Sequence, residues 1–190
     1  MDMEVLPLTC HPSTPCPYAQ VVSVRVDRVS ADLLVLYYRV EADLDRLRLP
    51  PQRPSMHADE LWRHTCFEAF LRSASSPAYF ELNFSPSSEW AAYRFDAYRV
   101  GMRAVVPERP PRVVCRRRDD ALEADVDLHL GALLDPASLT SRPLQLAIAT
   151  VLEDSDGRFS YWALTHAPGK PDFHHTAGFT LELPPWPEAE

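Results

Sequence analysis

The sequence predicts an all-β chain, built as an antiparallel sandwich or barrel. Two observations carry this. About nine or ten short apolar runs, many of them alternating with polar residues and separated by Pro, Asp, Ser and Gly clusters, read as strands and turns. Nineteen prolines stand against five glycines, and the prolines cluster between the runs, at Pro50-Pro51, Pro54, Pro107, Pro110-Pro111 and Pro184-Pro185. Proline ends strands and presets turns, so a chain punctuated this way suits short strands better than long helices.

In chain order, residues 1–19 show no period and read as an extended lead-in. Residues 21–28 alternate Val22, Val24 and Val26 against Ser23, Arg25 and Asp27, and 33–40 form a second apolar run after the Ser30-Ala31-Asp32 turn. Together they predict a hairpin. Residues 50–59 are a loop. Strands are expected at 65–71, 79–84 and 90–95, then at 113–117 and 122–128 around an Arg118-Asp119-Asp120 turn. The 130–139 segment reads as a short helix or an irregular crossing. The largely apolar run 144–152 suits a buried strand, and strands at 159–164 and 179–183 close the chain.

At 190 residues the chain is expected to form one domain, 1–190, with a sizeable core. A net charge of −8 argues against a nucleic-acid partner. No apolar run approaches the length of a membrane span. The acidic N-terminus lacks the basic start of a secretion signal. Cys10, Cys16, Cys66 and Cys115 include no C-x-x-C pair and read as reduced thiols of a cytoplasmic protein.

The block 60–99 concentrates five of the eight phenylalanines and two of the four tryptophans, so its strands are expected to anchor the core. Alternation assigns Phe67, Ala69, Leu71, Phe80, Leu82, Phe84, Ala91, Tyr93 and Phe95 to the core face. The other face then carries Cys66, Glu68, Phe70, Tyr79, Glu81, Asn83, Trp90 and Arg94. Aromatic surface, carboxylates, an amide and a guanidinium together are equipment for holding a polar ligand. Trp90 and Tyr79 are the expected platform; Glu81, Asn83 and Arg94 are the expected hydrogen-bonding groups. The alternative is a buried ion pair between Glu68 or Glu81 and Arg94.

Residues 61–70 (LWRHTCFEAF), 79–86 (YFELNFSP), 90–95 (WAAYRF) and 170–174 (KPDFH) resemble the bacterial DOMON-like proteins, which are grouped with family 9 carbohydrate-binding modules. The resemblance covers nearly the whole chain. It implies a jelly-roll β-sandwich and a non-catalytic module for a sugar or similar polar small molecule. It also puts the late loop around Lys170, Asp172 and His174 at the rim of the Glu68, Tyr79, Glu81, Asn83, Trp90 and Arg94 face. Relatives in the wider superfamily bind sugars or haem.

Other chemistries have weaker support. Met56, Met102, His57, His166 and Lys170 are chemically able to ligate a non-covalent haem, but C-x-x-C-H is missing. His57, His64, His166, His174 and His175 lack a zinc-binding spacing, so no metal is expected. Glu68 and Glu81 could form a carboxylate pair as in glycoside hydrolysis, yet no other catalytic motif is present, and no catalytic residue is assigned. Arg116-Arg117-Arg118, followed at once by Asp119 and Asp120, reads as a solvated hairpin tip.

Overall fold

The computed structural model describes residues 4–187. Twelve strands form one continuous antiparallel sheet that folds over into two layers. They are β1 (Val5–Cys10), β2 (Ala19–Arg28), β3 (Leu33–Ala42), β4 (Cys66–Ser73), β5 (Tyr79–Phe84), β6 (Trp90–Phe95), β7 (Arg103–Ala104), β8 (Arg112–Arg117), β9 (Ala121–His129), β10 (Leu144–Glu153), β11 (Phe159–Ala163) and β12 (Leu181–Leu183). Their order is β7-β6-β5-β4-β10-β11-β1-β2-β3-β9-β8, with β12 pairing beside β10. This is the predicted antiparallel sandwich.

The turn between layers is made by β1. Its first part, Val5 to Leu8, pairs with Arg25 to Val22 of β2, while Thr9 and Cys10 pair with Ala163 and Trp162 of β11. The sequence reads here as an extended lead-in without period. Only Leu8 of this strand is buried, so there is no alternation to read. The two-residue β7 falls in a stretch expected to be loop, and the last strand is shorter than expected because a helical turn, Thr176–Gly178, precedes it.

Alternation positions the main core. Leu34, Leu36, Tyr38 and Val40 of β3 are fully buried against Phe67, Ala69 and Leu71 of β4, Leu82 and Phe84 of β5, and Leu144, Leu146 and Ile148 of β10. The Tyr38 and Phe67 rings lie 5.0 Å apart. The Tyr38 hydroxyl donates to the Glu68 carbonyl at 2.9 Å, tying the two layers together. At about 25 cal/mol per Å² of apolar surface, this interior is the main source of stability.

The outer face of β4, β5, β6 and β10 is also covered. Phe70, Tyr79, Ala91, Tyr93, Phe95, Ala147 and Phe179 form a second apolar cluster there, with Leu61, Trp62 and Phe173 packed on it. Strand β10, buried on both sides, explains its nearly unbroken apolar sequence. The roof comes from two loops, one carrying the turn Leu61–Arg63 and the other running through 165–180.

Five face assignments, all on β6, need correction. Ala91 and Phe95, expected on the core face, lie in the outer cluster. Arg94 lies on the side away from Glu68 and Glu81. Tyr93 and Trp90 are likewise exchanged. Tyr93, expected in the main core with Phe67 and Leu82, lies in the outer cluster. Trp90, expected on the polar face, lies in the main core at 3% exposure. The cause is the register of β6. Directly opposed residues share a face, and β6 pairs Trp90 with Phe84, Ala92 with Leu82 and Arg94 with Phe80. All three therefore face the way of Phe84, while Ala91, Tyr93 and Phe95 share the face of Asn83, Glu81 and Tyr79.

Candidate functional site

The outer face reads in rows across the sheet. Ala91, Asn83, Glu68, Ala149 and Ala163 make one row through successive pairings; Tyr93, Glu81, Phe70 and Ala147 make the next. In the first row, the small alanines leave room beside Glu68. A cleft of about 390 Å³ opens there, lined by Trp62, Glu68, Glu81, Phe95, Arg99, Met102, Val151, Tyr161, Pro171, Asp172, Phe173 and His174. Polar groups sit at its floor and aromatic rings in its walls, the usual constitution of a small-molecule site.

Glu68 is 3% exposed. Its carboxyl makes no hydrogen bond or ion pair among the described residues and faces the cleft. Burial raises it well above the ordinary carboxylate range, and the nearby Glu81 charge raises it further. Glu81, 4% exposed, accepts from Asn83 Nδ2 at 2.9 Å. Burial raises this carboxyl too, against the lowering effects of the Asn83 bond and the Arg99 charge. The Cys66 thiol lies 3.7 Å from Asn83 Oδ1, so both ends of the amide are engaged.

His174 closes the row from above. Its Nδ1 is 2.8 Å from the Tyr79 hydroxyl, and its Nε2 is 3.6 Å from Glu81 Oε2. Burial lowers this imidazole to about 4, the Arg99 charge adds to the effect and Asp172 opposes it. The ring is therefore neutral at neutral pH, and its contact with Glu81 is not an ion pair. The Arg99 backbone N–H donates to the Tyr79 hydroxyl at 3.2 Å. That leaves the phenol proton for His174 Nδ1 and puts the imidazole proton on Nε2, facing Glu81.

Arg99 reaches the rim from a left-handed residue, φ 55°, in the tight turn closed by Ala97 and Val100. Non-glycine residues rarely adopt this conformation, which costs on the order of 1 kcal/mol or more and concentrates at functional sites. Its guanidinium holds Asp172 at 2.7 Å, and the Tyr98 hydroxyl donates to the same carboxylate. The pair fixes the 170–174 loop over the sheet. On the opposite wall, Trp62 packs edge-to-face on Tyr93 at 5.3 Å, and Tyr93 in turn donates to Asp59. Tyr161 and Phe173 meet at 5.8 Å.

Of the residues singled out from the sequence, Glu68, Tyr79, Glu81, Asn83, Asp172 and His174 come together on this face. Trp90 and Arg94 do not. Trp90 is core, with the His57 ring 5.3 Å away. Arg94 is exposed on the opposite face, its guanidinium 5.8 Å from the Phe80 ring, so the expected pairing of Arg94 with Glu68 or Glu81 is absent. Lys170 is exposed just outside the lining. Trp62, Phe95, Arg99, Tyr161 and Phe173, which the sequence reading leaves out of the site, supply the walls and the rim cation. Among the described residues no three His, Cys, Asp or Glu side chains group as a metal site. The possible haem ligands are dispersed: Met102 lines the cleft, Met56 and His57 lie beside Trp90, and His166 packs on His11. The Arg116–Arg118 run is spent on ion pairs to Asp125, Asp45 and Glu123.

No protein-family model matches the chain, and no curated protein matches it. Solved structures do. A candidate carbohydrate-binding protein from Bacteroides uniformis ATCC 8492 superposes with a TM-score of 0.72 at 16% identity, covering 93% of this chain and 84% of that one. A family 9 carbohydrate-binding module from Caldicellulosiruptor kristjanssonii in complex with cellotriose gives 0.60 at 10% identity, covering 100% of this chain and 85% of that one. A module of the same family and organism in complex with glucose gives 0.58 at 10% identity, covering 100% and 87%. The chain thus shares its fold with family 9 carbohydrate-binding modules.

Proposed function

We propose that the outer-face cleft is a carbohydrate-binding site and that the protein is a non-catalytic binding module. The observation that carries this is the Glu68 carboxyl, buried yet unpartnered, at the floor of a cleft walled by Trp62, Tyr161 and Phe173. Buried polar groups are ordinarily paired, so a ligand hydroxyl or amine is the partner this carboxyl lacks. Glu81, the neutral His174 and Arg99 add acceptors and donors to the same cleft, and its aromatic rings add apolar surface for a sugar. The solved neighbours in complex with glucose and cellotriose support the same reading. So does the resemblance of the 61–95 block to DOMON-like proteins. Four free cysteines suit a reducing compartment and a cytoplasmic protein.

Isothermal titration with glucose and cellotriose tests this. Saturable binding is expected, weakened at least about tenfold, the equivalent of 1.4 kcal/mol, in Trp62→Ala and Tyr161→Ala. A screen of neutral and charged sugars with no binder at all would overturn it.

A further inference from the structure

The charge inventory of the cleft points beyond a neutral sugar. Three carboxyl groups line it, Glu68, Glu81 and Asp172, against one guanidinium, Arg99. Arg99 is already engaged by Asp172 at 2.7 Å. Glu68 and Glu81, 3% and 4% exposed, are left without a cation in hydrogen-bond contact, since the nearest imidazole, His174, is neutral. A buried carboxylate must be paired or give up its charge; burial pushes Glu68 and Glu81 toward the second course, and a cation seated between them favours the first. Hydroxyls bring hydrogen bonds to such a floor but no compensating charge. An ammonium group brings both: its three donors match the acceptors of two carboxyls on diagonally adjacent positions of β4 and β5. The rings of Trp62 and Tyr161 line the same cleft and are available to a cation within it. The net charge of −8 favours a cationic ligand's approach.

We propose that the cleft takes an amino sugar with a free ammonium group, seated against the Glu68 and Glu81 carboxyls. The proposal rests on reading the cleft as a carbohydrate site. It requires no bond to be made or broken.

Titration at neutral pH with four probes, glucosamine, N-acetylglucosamine, glucose and ethanolamine, tests it. Glucosamine is expected to bind at least about tenfold more tightly than glucose, and N-acetylglucosamine, which keeps the ring but loses the charge, no better than glucose. Glu68→Gln is expected to weaken glucosamine at least about tenfold more than it weakens glucose, abolishing the preference. Glu81→Gln gives a second reading of the same loss, and a thermal melt establishes that each variant is folded. If glucose and N-acetylglucosamine bind as well as glucosamine, the amino-sugar proposal fails and the carbohydrate reading stands. If ethanolamine binds as tightly as glucosamine, the ammonium pocket stands and the carbohydrate reading fails. If none of the four binds, the proposal is overturned together with the sugar site on which it rests.

Discussion

The two faces of the β4-β5-β6 sheet are made by the alternating residues of three short strands, and they differ in kind. The inner face is a conventional interior: Phe67, Ala69, Leu82, Phe84, Trp90 and Ala92 pack against the opposite layer. The outer face is nearly as buried, yet it encloses Glu68, Glu81 and Asn83 among Phe70, Tyr79, Tyr93 and Phe95. Desolvating carboxyls costs stability that better-packed apolar residues would not lose. Burial therefore does not separate the faces; what separates them is that the outer one encloses carboxyls. On the inner face of these three strands no carboxyl or amide is buried. On the outer face Glu68 waits for something the protein does not supply.

Substitutions sharpen this contrast, and the largest effect belongs to the inner face. Phe67→Ala and Trp90→Ala should each cost roughly 3–5 kcal/mol in chemical denaturation, the range for buried aromatics. A loss below about 1 kcal/mol in Trp90→Ala would return that ring to the ligand face.

Next comes the pH dependence of the outer face. The folded pKa of Glu68 is raised above its ordinary value of 4.5, so its contribution to stability is present below that value and declines as pH rises through the folded pKa. The His174 imidazole moves the other way. Its folded value of about 4 lies below the ordinary 6.5, so between these the unfolded chain binds the extra proton and stability falls as pH falls. The two slopes oppose each other in the wild type. Thermal melts across this range should therefore separate in the variants: Glu68→Gln becomes progressively more stable than wild type as pH rises above 4.5, and His174→Gln loses the destabilisation seen on acidification below 6.5. Parallel melting profiles for all three proteins would contradict the burial described for these groups.

Smaller again is the expected stability effect of Trp62→Ala. This partly exposed ring packs on Tyr93 from a single helical turn, so its loss should cost about 1 kcal/mol while removing most sugar binding. The smallest is Arg94→Ala. An exposed guanidinium near the Phe80 ring should change stability by about 0.5 kcal/mol or less. A fall in melting temperature of several degrees would mean that Arg94 neutralises a buried carboxylate after all.

Strand positions were legible because most strands bury one face and expose or specialise the other. The facing of β6 is legible as well, from the short turn that precedes it. Phe84 and Trp90 flank the 85–89 turn symmetrically and close the hairpin as an opposed pair, so a core Phe84 entails a core Trp90. Glu68, Glu81 and Asn83 followed from alternation on two strands whose inward residues are unmistakable. Strand β1 could not be read, since a corner strand that buries only Leu8 has no pattern. Trp62, Arg99, Tyr161 and Phe173 lie on a loop turn, a tight turn, a half-exposed strand and a late loop. They converge only through long-range contacts such as Arg99 with Asp172 and His174 with Tyr79, which local sequence does not encode.

The central claim is that the outer face of this sheet, floored by Glu68 and Glu81, is where a sugar binds. Chemical-shift mapping during titration with glucose and glucosamine tests it most directly. The account predicts that the largest changes fall on the Trp62 indole, the Asn83 side-chain amide and the Arg99 backbone amide, with the Trp90 indole and the Arg94 amide unmoved. Binding that leaves Trp62, Asn83 and Arg99 still while shifting residues around Arg94 would contradict it.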